Sequence, residues 1–207
     1  MKYLIIDTTS SHMVVSILTN NEILLEHKEY ITSDMSSRIL PIIDNLLKKL
    51  NFSLNDIDKI LVSNGPGSFT GIRVGVTVCK TIAWSLNKPI VPISSLEILS
   101  TTETSKEFIV PMIDARRGNV FAGVYDKNLN CIMSDRLISI SELLKEKDQR
   151  YEFVSYDDFS GVSVINPNVN LIKIVKKHEF DAGVNPHNLN PNYLKLTEAE
   201  ENRLKND

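Results

Sequence analysis

Three short stretches of the 207-residue sequence carry residue types and spacings suited to chemistry. The first, Gly65-Pro66-Gly67-Ser68-Phe69-Thr70-Gly71, follows a short apolar strand (Lys59 to Val62) and opens a long apolar segment. Backbone N–H groups at a helix N-terminus bind anions, so such a turn invites a phosphate. The turn lacks a Gly-Lys-Ser/Thr ending, and its glycine spacing is not the dinucleotide fingerprint. The spacing therefore favours a tight turn in which Gly65, Gly67 and Gly71 serve geometry and packing. The second stretch is the polar turn Asp7-Thr8-Thr9-Ser10. With no glycine to bring the backbone around a phosphate, Asp7 and Thr8 are expected to bond the backbone of their own turn. The third is Asp114-Ala115-Arg116-Arg117-Gly118. Arginine makes forked contacts with anions, but a solvated strand-to-strand turn, or pairing with Asp114, is the favoured reading.

Metal or nucleophilic chemistry would need clustered His, Cys or carboxylates. His12, His27, His178 and His187 are scattered, and no HExxH motif occurs. Cys79 and Cys131 form no Cys-x-x-Cys pair and read as reduced cytosolic thiols. No cofactor or metal is expected in this chain. The formal net charge of −3 offers no footprint for RNA acting alone. A hydrophobic content of 42% and a charged content of 24% are ordinary for a soluble globular protein. No apolar run reaches membrane-spanning length, and the opening apolar run is too short for a signal peptide. A cytoplasmic protein is expected. Lys106, Glu107 and the run Lys145 to Arg150 read as solvated surface.

The elements that must position these stretches read as α/β. Lys2 to Asp7, His12 to Leu18 and Ile23 to Tyr30 are successive strands, the latter two joined by a hairpin at Asn20-Asn21. A helix between Ser36 and Leu50 follows, capped by Ser36 or Ser37, with Pro41 in or just after its first turn. Its apolar stripe is Ile39, Ile42, Ile43, Leu46 and Leu50, broadened by Leu40 and Leu47. A second helix runs from Thr70 to Leu86 and is stopped by Pro89, before a strand from Ile90 to Ile93. Along it Gly71, Gly75, Cys79 and Ala83 form a ridge of small residues where a neighbouring backbone can come close. The interior glycines cost roughly 1 kcal/mol each against alanine, which close packing must offset. Arg73, Thr77, Lys80 and Trp84 make its only stripe of polar character. Both helices have more apolar circumference than one sheet face can cover.

A short helix beginning at Ser94 to Glu97 and the polar stretch Ser100 to Ser105 mark a division into units 1–102 and 103–207. In the second unit, strands at Phe108 to Ile113 and Asn119 to Tyr125 precede a strand, helix and strand at Cys131 to Ile140, Ser141 to Lys147 and Tyr151 to Tyr156. Asn168 is expected to cap an amphipathic segment with Leu171, Ile172 and Val175 on one face. The charged tail Glu198 to Asp207 reads as frayed or as a surface helix. This half looks like a shortened copy of the first.

The run GPGSFTGIRVGVTVCKTIAWSLNKPIVPISSLE, with MKYLIIDTTS, RILPIIDNLL, PMIDARRGNVFAGVYD and PNYLKL in order around it, resembles the TsaB (YeaZ) family of bacterial tRNA threonylcarbamoyladenosine biosynthesis. The likeness is good from Met1 to about Asp126, weakens, and returns at Pro191. It implies an actin-like ATPase (ribonuclease H-like) fold with a shortened C-terminal subdomain, in which Asp7 to Ser10 corresponds to the phosphate-facing hairpin. It also implies a non-catalytic scaffold that binds and activates TsaD, which transfers a threonylcarbamoyl group to N6 of adenosine 37 in tRNAs reading codons that begin with A. Nucleotide and metal then belong to TsaD, and ATP to a third member, TsaE. The tRNA is met only through the complex. The larger paralogue TsaD carries two metal-binding histidines where this chain has Ser95 and Leu99, which cannot hold a transition metal. The implied contact surface is the pair of helices, with Arg38, Ile39, Ile42, Ile43 and Leu46 on the first and Arg73, Thr77, Lys80 and Trp84 on the second. The same surface is expected to self-pair into a homodimer when the partner is absent. A small ATPase or kinase of the actin-like superfamily is the alternative. It would need a second glycine-rich phosphate loop, for which Asp114 to Gly118 is a poor candidate. A lone RNA-binding module is disfavoured by the acidic balance.

Overall fold

The computed structural model describes residues 1–31 and 34–195. Strands β1 (Lys2–Asp7), β2 (His12–Thr19) and β3 (Ile23–Tyr30) form an antiparallel meander, and β4 (Lys59–Gly65) and β5 (Ile90–Ser94) lie parallel to β1 in the order β3-β2-β1-β4-β5. This is the ribonuclease H-like arrangement of the actin-like ATPases. Strand alternation sends side chains to two faces. Leu4, Ile6, Met13, Val15, Ile17, Ile60 and Val62 lie under α1 (Met35–Lys49) and α2 (Phe69–Ser85). Tyr3, Ile5, Leu61, Val91 and Ile93 face the other way. A second sheet contains β6 (Phe108–Asp114), β7 (Asn119–Asp126), β8 (Cys131–Ser139) and β9 (Tyr151–Val154) in the order β8-β7-β6-β9. Its first three strands are antiparallel and its fourth parallel to β6, so it repeats the first sheet without a fifth strand. Asp135 of β8 joins the two lobes. It accepts hydrogen bonds from Tyr125 Oη at 2.6 Å and from Ser94 Oγ, at the end of β5.

Helix α1 starts earlier than expected. Its N-cap is Asp34, at φ 56°, with no side-chain capping bond, and Pro41 lies inside the helix rather than near its first turn. Neither Ser36 nor Ser37 caps it; Ser37 Oγ instead donates to the Asp34 carbonyl at 2.8 Å. Helix α2 begins where the glycine turn ends, with Ser68 Oγ accepting from the Gly71 N–H at 3.2 Å. Its ridge of Gly71, Gly75, Cys79 and Ala83 is buried in the chain's own core and packs on β1 and the turn after it.

The division expected at residue 102 needs two corrections. Ser100, Thr101 and Thr102, which read as part of a polar linker, are buried at the end of α3 (Ser95–Leu99). Each hydroxyl donates to a carbonyl three residues back, at 2.7–2.8 Å. The Thr101 and Thr102 hydroxyls also accept from the N–H groups of Asn170 and Asn168. Second, the chain beyond these asparagines returns to the first lobe. In α5 (Leu171–Lys177), Leu171, Ile174 and Val175 pack against Tyr3, Ile5 and Leu61. The cap of α5 is Asn170, whose side chain accepts from Ile172 and Lys173, not Asn168. Among the described residues, β6 to β9, the short helix α4 (Ile140–Lys145) and the segment after β9, whose Phe159, Val162 and Val164 pack on the same core, make the second lobe. The tail expected from Glu198 lies outside the described residues. Thr101→Val removes a fully buried hydroxyl, strands the Asn170 N–H and leaves the Ile98 carbonyl with only the Thr101 N–H. It is expected to cost about 2 kcal/mol of stability, read by urea unfolding.

Candidate protein interface and the closed phosphate turn

The glycine turn lies directly on the β1–β2 turn. Gly65 and Gly67 hold φ of 114° and 150°, which L side chains rarely adopt. A Cβ on Gly67 would come within 2.2 Å of the Thr9 carbonyl oxygen, and one on Gly71 within 1.8 Å of that of Thr8. The Ser68 N–H donates to the Thr9 carbonyl at 2.7 Å, and Thr8 Oγ1 donates to the Gly71 carbonyl at 2.7 Å. Thr8 therefore bonds across to α2, not within its own turn as expected. Asp7 does serve its own turn, its Oδ1 accepting from Thr9 N at 3.0 Å and Thr9 Oγ1 at 2.7 Å. Burial pushes its carboxyl above the usual range, against hydrogen bonds from Thr9 and Ser63 that lower it. The N–H groups of Ser68 and Gly71, which a phosphate would use, already have protein acceptors. The space left between the lobes beside this turn is a cavity of about 110 Å³. Pockets for drug-sized ligands run to several hundred Å³.

Ser95 and Leu99 are locked into the same region. Ser95 Oγ donates to the Pro66 carbonyl, and Leu99 is 2% exposed in a core cluster with Leu96, Ile113 and Phe121. Among the described residues, no group of three or more His, Cys, Asp or Glu side chains is placed to hold a metal ion. Arg116 and Arg117 occupy the β6–β7 turn at positive φ, and the Arg116 N–H donates to Asp114 Oδ1 at 2.8 Å.

The two helices lie side by side on one sheet face, and the structure separates their expected contact residues into three groups. Ile39, Ile43 and Leu46 are at most 5% exposed and belong to the chain's own core, so they are not available to a partner. Ile42 is half-buried against that core. The outer face of α1 carries Arg38, Leu40, Pro41, Asp44 and Asn45 instead. Leu40 is exposed because its helical row, Ser36-Leu40-Asp44-Lys48, is otherwise polar, a spacing legible in the sequence.

On α2, Arg73, Thr77 and Trp84 are exposed, with Thr81 beside them and Val74 and Val78 half-buried. Lys80 is turned aside. Its ammonium donates to the carbonyls of Leu189 at 2.8 Å and His187 at 3.4 Å. Arg73 Nε donates to Tyr193 Oη at 2.8 Å, Phe69 stacks on Tyr193 at 4.7 Å, and Trp84 meets His187 edge-on at 5.9 Å. The segment from His187 to Tyr193 thus straps the flank of α2, anchored by buried Leu189 and by Asn192 N–H donating to Asn64 O at 2.7 Å. Local sequence gave no sign of this strap. Among the described residues nothing covers the outer faces of α1 and α2, with Leu40 54% and Trp84 64% exposed.

The sheet order, the shortened second lobe and the turn closed by its own helix define a two-lobed α/β protein of the actin-like class. Residues 29–180 match the family model described as "TsaD: tRNA N6-adenosine threonylcarbamoyltransferase". The tRNA threonylcarbamoyladenosine biosynthesis protein TsaB of Bacillus subtilis is 34% identical over 97% of this chain and 96% of its own length. The TsaB protein of Escherichia coli is 31% identical over 64% of this chain and 58% of its own length. YeaZ from Pseudomonas aeruginosa superposes with a TM-score of 0.75 at 22% identity, covering 93% of this chain and all of that one. The chain belongs to the TsaB (YeaZ) family of tRNA threonylcarbamoyladenosine biosynthesis proteins.

Proposed function

We propose that this chain is a non-catalytic partner that binds and activates the transferase TsaD in forming threonylcarbamoyladenosine at position 37 of tRNA. The observation that carries the reading is the open α1–α2 face. Two long helices present exposed Leu40 and Trp84 among polar and charged side chains that include Arg38, Arg73 and Thr77, a composition that supports protein docking over catalysis. The closed phosphate turn supports assigning nucleotide and metal to TsaD, and ATP to TsaE, rather than to this chain. It also weighs against the alternative of a small ATPase or kinase. The tRNA is reached through the complex, and without TsaD the same face pairs two copies of the chain.

The test is to mix the chain with TsaD on a sizing column, with and without nucleotide, and to repeat it with surface variants. Trp84→Ala is expected to weaken the complex by roughly 2 kcal/mol, about thirtyfold in dissociation constant. Thr77→Glu, which places an unpaired charge in a drying contact, is expected to weaken it as well. Both residues are exposed, so the melting temperature of the monomeric chain, measured at dilution, should barely move. Full affinity in both folded variants would remove this face from the proposal.

A further inference from the structure

The cavity between the lobes has a floor and a rim of different chemistry. The floor is aliphatic, made by Val14 of β2, Ile98 and Leu99 at the end of α3, and Val169 and Leu171 entering α5. The rim carries both signs of charge. Glu26 and Lys28 stand two residues apart on β3 and so share one sheet face. Lys28 Nζ donates to Tyr156 Oη at 3.0 Å, which holds the ammonium at the mouth. The carboxyl of Asp7, only 6% exposed, closes the back.

These groups select against most small ligands. A simple anion would meet Glu26 and Asp7 as well as Lys28, and a simple cation would meet Lys28. An apolar molecule would make no polar contact with the Glu26 carboxylate or the Lys28 ammonium at the rim, while the Asp7 carboxyl keeps its bonds from Thr9. A molecule with an ammonium and a carboxylate on one carbon satisfies both signs at once and turns its side chain to the aliphatic floor. Size limits it further. Apolar cavities of about 150 Å³ hold benzene, so about 110 Å³ suits a molecule of comparable or slightly smaller size.

We propose that this cavity binds a small zwitterionic α-amino acid with a short aliphatic or hydroxylated side chain. Its carboxylate faces Lys28 and the Tyr156 hydroxyl, and its ammonium faces Asp7 and Glu26. The proposal does not depend on the α1–α2 face, which lies on the opposite side of the first sheet.

Titrating the isotopically labelled full chain with L-alanine, L-serine and L-threonine, followed by amide NMR shifts, tests it. Propionate and ethylamine, each carrying only one of the two charges, are the controls. The expected result is saturable shifts in Asp7–Val14, Glu26–Lys28 and Val169–Leu171 with at least one amino acid, and much weaker effects from both controls. Lys28→Ala and Glu26→Gln, both at exposed positions, are each expected to weaken binding about tenfold or more while the rest of the spectrum stays unchanged. No saturable shift by about 20 mM, well above a millimolar dissociation constant, would overturn the proposal. So would propionate or ethylamine binding as tightly as the amino acids, or affinity indifferent to Lys28 and Glu26.

Discussion

Gly71→Ala is expected to cost at least about 4 kcal/mol, enough to leave a marginally stable chain largely unfolded. The new Cβ would lie 1.8 Å from the carbonyl oxygen of Thr8, a backbone atom that cannot rotate away. Relief requires the first turn of α2 and the β1–β2 turn to part. That would break the bond from Thr8 Oγ1 to the Gly71 carbonyl and the bond from Ser68 N–H to the Thr9 carbonyl. Ordinary overpacking costs about 1–3 kcal/mol, and these lost bonds add to it. Gly75→Ala should be milder, because its Cβ meets the Thr8 side-chain oxygen at 2.4 Å rather than backbone. Gly118→Ala has nothing within 4 Å and strains only a positive φ of 74°. Urea unfolding should therefore rank the damage Gly71, Gly75, Gly118. A Gly71→Ala protein within about 1 kcal/mol of the parent would show that the two turns are not packed this closely.

The glycine ridge shows how far sequence reasoning reached. Spacing of four residues says that something approaches α2 closely, and it does, but spacing cannot say what. The neighbour is Thr8, more than sixty residues earlier, and not a partner helix. The strands were legible to within a few residues because apolar runs such as Tyr3 to Ile6 and Ile60 to Val62 are interrupted by turn residues. The start of α1 was not, because Asp34 enters the helix through a left-handed backbone and makes no side-chain capping bond. Ser100 to Thr102 were misread because polarity alone cannot distinguish a solvated hydroxyl from one that bonds buried backbone. An apolar stripe alone does not tell the inner face of α1 from its outer face. Ile39, Ile43 and Leu46 were consumed by the chain's own sheet, leaving Leu40, whose polar row already marked it as outward. The strap on α2 pairs residues more than one hundred positions apart, beyond any local period.

Glu97→Ala is expected to destabilise the chain by about 3 kcal/mol and to flatten its stability against pH. Glu97, on α3, is 10% exposed at its side chain and holds Lys177 Nζ at 2.7 Å and His178 Nε2 at 3.0 Å. His178 Nδ1 in turn meets Asp181 Oδ2 at 2.7 Å, and the 4% exposed Lys59 donates to the carbonyls of Glu179 and Asp181. This cluster locks α5 and the loop after it onto the first sheet. Removing one member of a buried ion pair costs about 3–5 kcal/mol, and the lower end applies because Lys177, 34% exposed, can turn to water. The pH signs oppose each other. Burial alone would lower the pKa of His178, but its bonds to Glu97 and Asp181 outweigh burial and raise it above 6.5. Its contribution is therefore complete below 6.5 and is lost as pH rises through the folded value. Burial alone would raise the pKa of Glu97, but His178 and Lys177 together lower it below 4.5. Its contribution is present above 4.5 and is lost as pH falls through the folded value. The parent protein should thus show its full contribution from this cluster between 4.5 and 6.5, declining on either side. In Glu97→Ala the acid slope from this carboxylate disappears, and the alkaline slope shrinks because only Asp181 still favours the imidazolium. Glu97→Gln, which keeps a hydrogen-bonding side chain of the same length, should lose less stability yet show the same flattened profile. Urea unfolding across the acid and neutral range reads both effects. A Glu97→Ala profile parallel to that of the parent would mean that the charge on Glu97 does not hold α5 in place.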